Sequence, residues 1–300
     1  MDKTERIIHF DSVDDHNKLY GWETLHPLVT VGHHDHLEER HNHLQIHYGL
    51  YALFLKQGDG CSLRYGREKY DYQEGTIVSM KPGQVTTVEW SVERPMPPSR
   101  GLLFHPDLIY GTSLGRHIHE YTFFDYDQRE SLHLSERERR LVGDLLDQIQ
   151  AELEHPVDKH SKRLITDSIA LLLDYCTRFY DRQFITREKV NSDIMADFDR
   201  ALTAYFVSGE AAKQGLPAVS YFAEKAHLSP GYFGDLVKKT TGNSAQHYIQ
   251  RKIIELSKQL VLDSKLNISQ VAGRLGFQYP QHFTRLFKQH TGMTPKEYRQ

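Results

Sequence analysis

Gln281 and Arg285 stand four residues apart in a stretch that also carries His282, Thr284 and Lys288. At a helical period these side chains fall on one side of a helix. A guanidinium and an amide so placed match the bidentate hydrogen-bonding edges of guanine and adenine, while lysines near a helix end suit phosphates. Earlier in the chain Gly231, Tyr232, Asp235, Lys238 and Lys239 hold the corresponding positions. Asp235 is placed to accept from a cytosine amino group or to hold a lysine in position. A second group with chemistry is histidine. The chain has 19, with His33, His34, His36, His41, His43 and His47 close together. On a strand His41, His43, Gln45 and His47 share a face, where neutral imidazoles suit a divalent metal or the lining of a ligand pocket.

The elements that must position the first group occur twice. Val219, Phe222, Ala223 and Ala226 fall at i, i+3, i+4 and i+7, and so do Ile268, Val271, Ala272 and Leu275. Each run is followed by a short break and a second amphipathic segment, with Phe233, Leu236 and Val237 matching Phe283, Leu286 and Phe287. This is an internal repeat of a helix-turn-helix unit, whose second helix is the kind that enters a DNA major groove. Pro230 and Pro280 suit a first helical turn and Ser229 an N-cap, whereas Gly242 and Gly292 suit the left-handed position after a helix. A long helix from Ala245 to Leu262, with Ile249, Ile253, Leu256 and Leu260 as its buried stripe, is expected to fix the spacing of the two units. One amphipathic helix pair is a common structural feature. Two copies with matched cores and caps point to nucleic acid.

Charge agrees. The chain of 300 residues has a net charge of −3, yet residues 201–300 hold 13 Lys and Arg against 6 Asp and Glu, and the remainder 24 against 34. A basic third on an otherwise acidic chain implies a polyanionic partner for that third. No apolar run reaches the ~18 residues of a membrane span, and the first residues lack the apolar core of a signal peptide, so a cytoplasmic protein with no membrane association is expected. Two cysteines, Cys61 and Cys176, provide no disulfide framework and no zinc-type CxxC. Neither a nucleotide-binding loop nor a nucleophile motif is present, so neither catalysis nor a bound cofactor is expected.

Residues 1–130 read as β-rich, with short strands around His41–His47, Tyr51–Leu55, Ser62–Tyr65, Lys69–Tyr72, Thr76–Met80 and Leu102–Phe104. Gly66-Arg67 marks a hairpin-like break and Glu93–Pro98 a Pro-rich surface connection. Strands at such spacing imply a sandwich or barrel. Over 131–183 the period changes. Ser135 and Glu138 form a capping box that opens a helix ended by Pro156. A second helix over about 159–182 carries Ile165, Ile169, Leu172, Cys176 and Phe179 as a seam, for either an intrachain hairpin or a dimer. Residues 184–192 read as a polar linker, 193–300 as the C-terminal domain, and Gly209–Gly215 as a loop within it.

Three stretches, Ala223–Gly242, Ile268–Phe277 and Phe283–Tyr298, resemble the DNA-binding domain of the AraC/XylS family of bacterial transcription regulators. The resemblance covers about a third of the chain. It implies one chain on two successive major-groove segments of promoter DNA, contact with RNA polymerase, and an N-terminal part that senses a small molecule or makes a homodimer; whether the chain is an activator or a repressor stays open. Residues 1–130 resemble the cupin barrels that many such proteins carry. His41-x-His43 and Glu74–Gly83 match parts of the cupin motifs, but no Glu follows His43 at the usual reach and no His follows Gly83, so no metal site is expected. His41, His43, Gln45, Tyr51 and Arg64 are the expected effector-binding residues. The expectation is therefore a multidomain chain with a cupin-like β-barrel, following helices and an all-α domain of two joined helix-turn-helix units. The rival readings are a metal-dependent cupin enzyme with a DNA-binding appendage and a ligand-independent DNA-binding protein.

Overall fold

The computed structural model describes residues 7–34, 43–56, 75–89 and 98–300. It divides into two compact units, residues 1–187 and 188–300. The first begins with β1 (Ile7–Phe10), α1 (Val13–Leu19), β2 (Val29–His33), β3 (His43–Tyr48), β4 (Tyr51–Lys56), β5 (Gly75–Met80), β6 (Gln84–Glu89) and β7 (Ser99–Phe104). Two short helices follow, α2 (Pro106–Ile109) and α3 (Ser113–His117), then three 3-10 turns, β8 (Leu132–Leu134), α4 (Glu136–Glu154) and α5 (Ser161–Thr186).

The strands form two separate sheets, β1-β3-β6 and β2-β7-β4-β5-β8. No strand of one hydrogen-bonds to the other among the described residues, so the expected barrel is not closed there. The strands expected at 62–65 and 69–72, the break at Gly66 and most of the Pro-rich connection lie outside the described residues. Every pairing is antiparallel except β1 with β3. The whole of β7 is buried, Ser99 and Arg100 included. Arg100 donates Nη1 to the Gly143 carbonyl at 3.2 Å and pairs through Nη2 with Asp147 at 2.7 Å, which fastens α4 to the sheet.

Gly32 of β2 and Gly101 of β7 face each other in register. A Cβ on Gly32 would stand 2.4 Å from the Trp22 ring, and one on Gly101 2.5 Å from His34. This bare patch of backbone lets Trp22 and His34 lie against the sheet, with Tyr20 and His16 packed beside them. His16 and His34 are buried, and their Nε2 atoms lie 3.1 Å apart. Burial lowers the pKa of His16 to about 4 and that of His34 to about 3, so the contact is one between neutral rings, one donating and one accepting.

The capping box at Ser135 and Glu138 forms as the sequence implies. Ile165, Ile169, Leu172, Cys176 and Phe179 of α5 are all buried within the chain, so this seam serves intrachain packing. Burial pushes the Cys176 thiol up to about 12, as for an unreactive core residue. The stretch 184–192 contains the division between the two units and is helical apart from the cap residue Arg187. It holds no Gly or Pro to stop a helix, and its neighbour Gln183 is buried, accepting from the His133 amide and donating to the Ser131 carbonyl.

The second unit is all helix: α6 (Glu188–Val207), α7 (Glu210–Gln214), α8 (Val219–Lys225), α9 (Pro230–Thr241), α10 (Ala245–Leu262), α11 (Ile268–Arg274), α12 (Pro280–Thr291) and α13 (Pro295–Arg299). Where a loop was expected at 209–215 there is a one-turn helix between Gly209 and Gly215, both at positive φ. Phe198 of α6 packs on Phe222, Phe233 and Tyr248 with ring centroids 5.0–5.2 Å apart. Asp199 accepts from the Tyr248 hydroxyl and pairs with Lys252, each at 3.0 Å. The buried side of α10 is Ile249, Ile253, Ile254, Ser257 and Val261, with Leu256 and Leu260 only half-buried. Ser257 tolerates full burial because its hydroxyl donates to the Ile254 carbonyl at 2.8 Å.

Candidate nucleic-acid interface

The two helix-turn-helix units are α8 with α9 and α11 with α12. Their turns match bond for bond. The Leu228 amide donates to the Ala223 carbonyl and the Phe277 amide to the Ala272 carbonyl, both at 2.9 Å. The residue just before each donor, His227 or Gly276, is left-handed, with φ of 57° and 86°. This is the hydrogen-bonded turn that ends a helix and redirects the chain. Each second helix opens with proline in its first turn and ends at a left-handed glycine, Gly242 or Gly292. Past each glycine the next helix is capped by a hydroxyl, Ser244 for α10 and Thr294 for α13. The starts differ. The Ser229 hydroxyl accepts from the Tyr232 amide, whereas Tyr279 makes no side-chain cap.

On α9, Lys238 and Lys239 are exposed in the last turn, and Gly231 and Asp235 are half-buried. Tyr232 is 3% exposed, packed in the core with Phe233, Leu236 and Val237. That corrects its place among the outward residues: it stands next to Phe233 on the wide apolar stripe of a short helix. On α12, Gln281, His282, Arg285 and Lys288 are exposed and Thr284 is half-buried. The Thr284 hydroxyl donates to the Pro280 carbonyl at 3.1 Å, so its proton is committed to its own helix. Phe283 and Phe287 are fully buried and Leu286 is half-buried. Gln289 was not singled out from the sequence. It is exposed and extends the row Gln281, Arg285 by one further step of four, the spacing that would have found it. His282, Arg285 and Gln289 also line a cleft of about 320 Å³ against Ile249, Ile253 and Phe277.

Of the expected effector residues, His41 and Arg64 lie outside the described residues. His43 and Gln45 are in β3, and Tyr51 is in β4 of the other sheet, half-buried and stacked on Phe104 at 5.0 Å. Gln45 is on the opposite side of β3 from Ile46 and Tyr48, which enter the core. A cleft of about 360 Å³ lies elsewhere in this unit, lined by residues that include Ser79, Gln84, Thr86, Tyr126 and Gln128. Three other side chains, His9, Asp11 and His47, bring one ligand atom each within 4.8 Å of one another. No helix of the described residues is long and apolar enough to cross a membrane.

Residues 222–300 match the family described as "Helix-turn-helix domain". Over 81 residues the chain is 37% identical to an uncharacterised helix-turn-helix transcriptional regulator, YobQ, of Bacillus subtilis; the match covers 27% of this chain and 34% of that protein. Over 107 residues it is 31% identical to the transcriptional activator RhaR of Yersinia pseudotuberculosis, covering 36% of this chain and 33% of that one. It is similar, at 29% identity and a TM-score of 0.30, to the C-terminal domain of the response regulator yesN of Fusobacterium nucleatum; 34% of this chain and 97% of that domain are covered. The chain spans between 20% and 62% of the length of the first curated relatives it matches. The first two are named as helix-turn-helix transcriptional regulators and the third as a response regulator.

Proposed function

We propose that this chain, whose C-terminal unit carries helix-turn-helix architecture of the AraC/XylS transcription-regulator type, is a sequence-specific regulator that reads promoter DNA with α9 and α12. One observation carries the reading: two helix-turn-helix units with the same turn bonds and the same terminal glycines, joined through a single 18-residue helix that is packed on both. A rigid connector sets two reading helices at a constant separation. Arg285 and Gln281 are exposed with chemistry suited to purine edges, and Lys238, Lys239 and Lys288 suit flanking phosphates.

In this reading the N-terminal unit binds a small effector and biases DNA binding through its differential affinity for two states of the protein. The cleft beside Gln84, Thr86 and Gln128 supports it by its size, about 360 Å³, with a polar lining whose Gln84 amide and Thr86 hydroxyl are held by bonds within the protein. The cupin likeness stays a proposal about this unit; of the matching stretches, His43 falls in β3 and residues 75–80 form β5. Homodimer formation, contact with RNA polymerase and a cytoplasmic location belong to the same proposal. Because the five buried seam residues of α5 are used inside the chain, a dimer contact on that helix would draw instead on its exposed Leu164 and Leu171.

Selection of genomic DNA fragments by the purified full-length chain at near-physiological salt tests the proposal. The expected result is one enriched site with two elements about one helical turn apart. Enrichment only with residues 188–300 would mean that the N-terminal unit gates binding. Enrichment with neither would overturn the reading.

A further inference from the structure

Strand β1 runs parallel to β3 with His9 directly beside His47. Side chains alternate along both strands. Phe10, Ile46 and Tyr48 enter the hydrophobic core, with Ile8 packed against it, which turns His9 and His47 to the other face of the sheet. Asp11 follows one residue past the end of β1 and so falls on the side of His9. The two imidazole rings are 5.0 Å apart, and a ligand atom from each of the three side chains lies within 4.8 Å of the others. One further observation points to a ligand, and a second concerns how Asp11 is placed. The Nδ1 atom of His47 is buried and has no hydrogen-bond partner in the protein. Gly49, whose amide donates to the Phe10 carbonyl at 2.9 Å, leaves the space that Asp11 uses: a Cβ there would stand 3.1 Å from the Asp11 carboxylate oxygen.

We propose that His9, Asp11 and His47 form a binding site for a zinc-type divalent transition-metal ion on the outer face of the β1-β3-β6 sheet. Two imidazoles and a carboxylate suit zinc and its first-row neighbours better than calcium or magnesium, which take oxygen ligands. Ligand atoms around tetrahedral zinc sit about 2.0–2.2 Å from the ion, hence roughly 3.4 Å from one another. The widest separation therefore closes by up to about 1.4 Å, within reach of side-chain rotations at His9 and Asp11, which are exposed. Three protein ligands leave one position open to solvent or to a further donor. The ion joins β1 to β3, so its binding should tighten that edge of the sheet. The site uses neither of the cupin-motif histidines His41 and His43, and it does not depend on the DNA-binding reading.

Metal-freed full-length protein titrated with Zn2+ against a chromophoric chelator tests the site, with Co2+ absorption reporting ligand type and hydrogen exchange reporting the amides of residues 7–10. The expected result is one equivalent bound, with slower exchange in β1. Affinity should fall about tenfold or more in each of His9→Ala, Asp11→Asn and His47→Ala, and persist in the double variant His41→Ala/His43→Ala. His9 and Asp11 are exposed and His47 is half-buried, and circular dichroism checks that each variant is folded. Failure of the wild-type chain to take up one equivalent would overturn the proposal. So would undiminished binding in the three variants with loss in the His41/His43 variant, which would assign the metal to other histidines.

Discussion

His227 and Gly276 hold the same place in the two helix-turn-helix turns, and both adopt the left-handed backbone, at φ of 57° and 86°. The neighbours differ. A Cβ on Gly276 would lie 2.7 Å from the Gly215 carbonyl carbon and 2.8 Å from the Ala211 carbonyl oxygen. The first turn has room for a side chain, and His227 is exposed. Gly276→Ala should therefore destabilise the second unit by about 3 kcal/mol, from strain and clash together, whereas His227→Gly should be neutral or stabilising by up to about 1 kcal/mol. Denaturant unfolding of the two variants checks this, and similar losses in both would show that the turns are not distinguished in this way.

Residues that read bases and residues that hold phosphates should separate in binding assays. Arg285→Ala is expected to weaken specific binding by about 1–3 kcal/mol and to relax base choice at one position. Lys238→Ala and Lys288→Ala should weaken binding alike on all sequences and each lower the salt slope by about 1. Titration of matched and mismatched sites at several salt concentrations tells the two patterns apart. An equal loss on every sequence for Arg285→Ala would remove it from base reading.

Tyr232 gives the opposite expectation to its counterpart His282. Tyr232 is 3% exposed, so Tyr232→Ala should cost about 3 kcal/mol of stability through a cavity beside Phe233. His282→Ala should leave stability within about 0.5 kcal/mol and act on DNA binding alone. Thermal unfolding and DNA titration of both variants decide the matter.

The buried pair His16 and His34 makes the N-terminal unit sensitive to acid. Burial holds both pKa values, about 4 and about 3, below the ordinary 6.5. The unfolded chain then binds more protons than the folded one below pH 6.5. The stabilising contribution is fully present above 6.5 and is lost as pH falls toward 4 and 3. By pH 5 the loss should be on the order of 2 kcal/mol per histidine. Urea unfolding between pH 7.5 and 5 should show this slope, and His34→Leu should make it shallower.

Glu138 serves two elements at once. Its carboxylate closes the capping box of α4 at the Ser135 amide and accepts from Arg182 of α5 through both oxygens, at 3.0 and 3.2 Å. Arg182 also donates to the His133 carbonyl at 2.6 Å. Arg182→Ala should cost about 2 kcal/mol, and Arg182→Lys should recover little because an ammonium cannot reproduce the two-pronged pairing. Equal stability of the Lys variant and the parent chain would count against that geometry.

Local signals determined much of the second unit. Repeated apolar spacing, paired prolines and terminal glycines placed both helix-turn-helix units, because a short helix, its caps and its turn depend on neighbours within about ten residues. The capping box at Ser135 was legible for the same reason, as were the strands that became β3, β4, β5 and β7. Long-range packing decided the rest. Tyr232 reads as an outward polar aromatic until the width of the α9 core takes it inside, and Ser257 displaces Leu256 from the buried side of α10 because that side advances by fours from Ile249. The stretch 184–192 reads as a linker by polarity, yet with no helix breaker it stays helical on both sides of Arg187. Strand pairing was the least legible. His9 and His47 are far apart in sequence, and only the parallel register of β1 on β3 makes them neighbours, since sheet partners are chosen by the shared core beneath them and not by the residues on the face they expose.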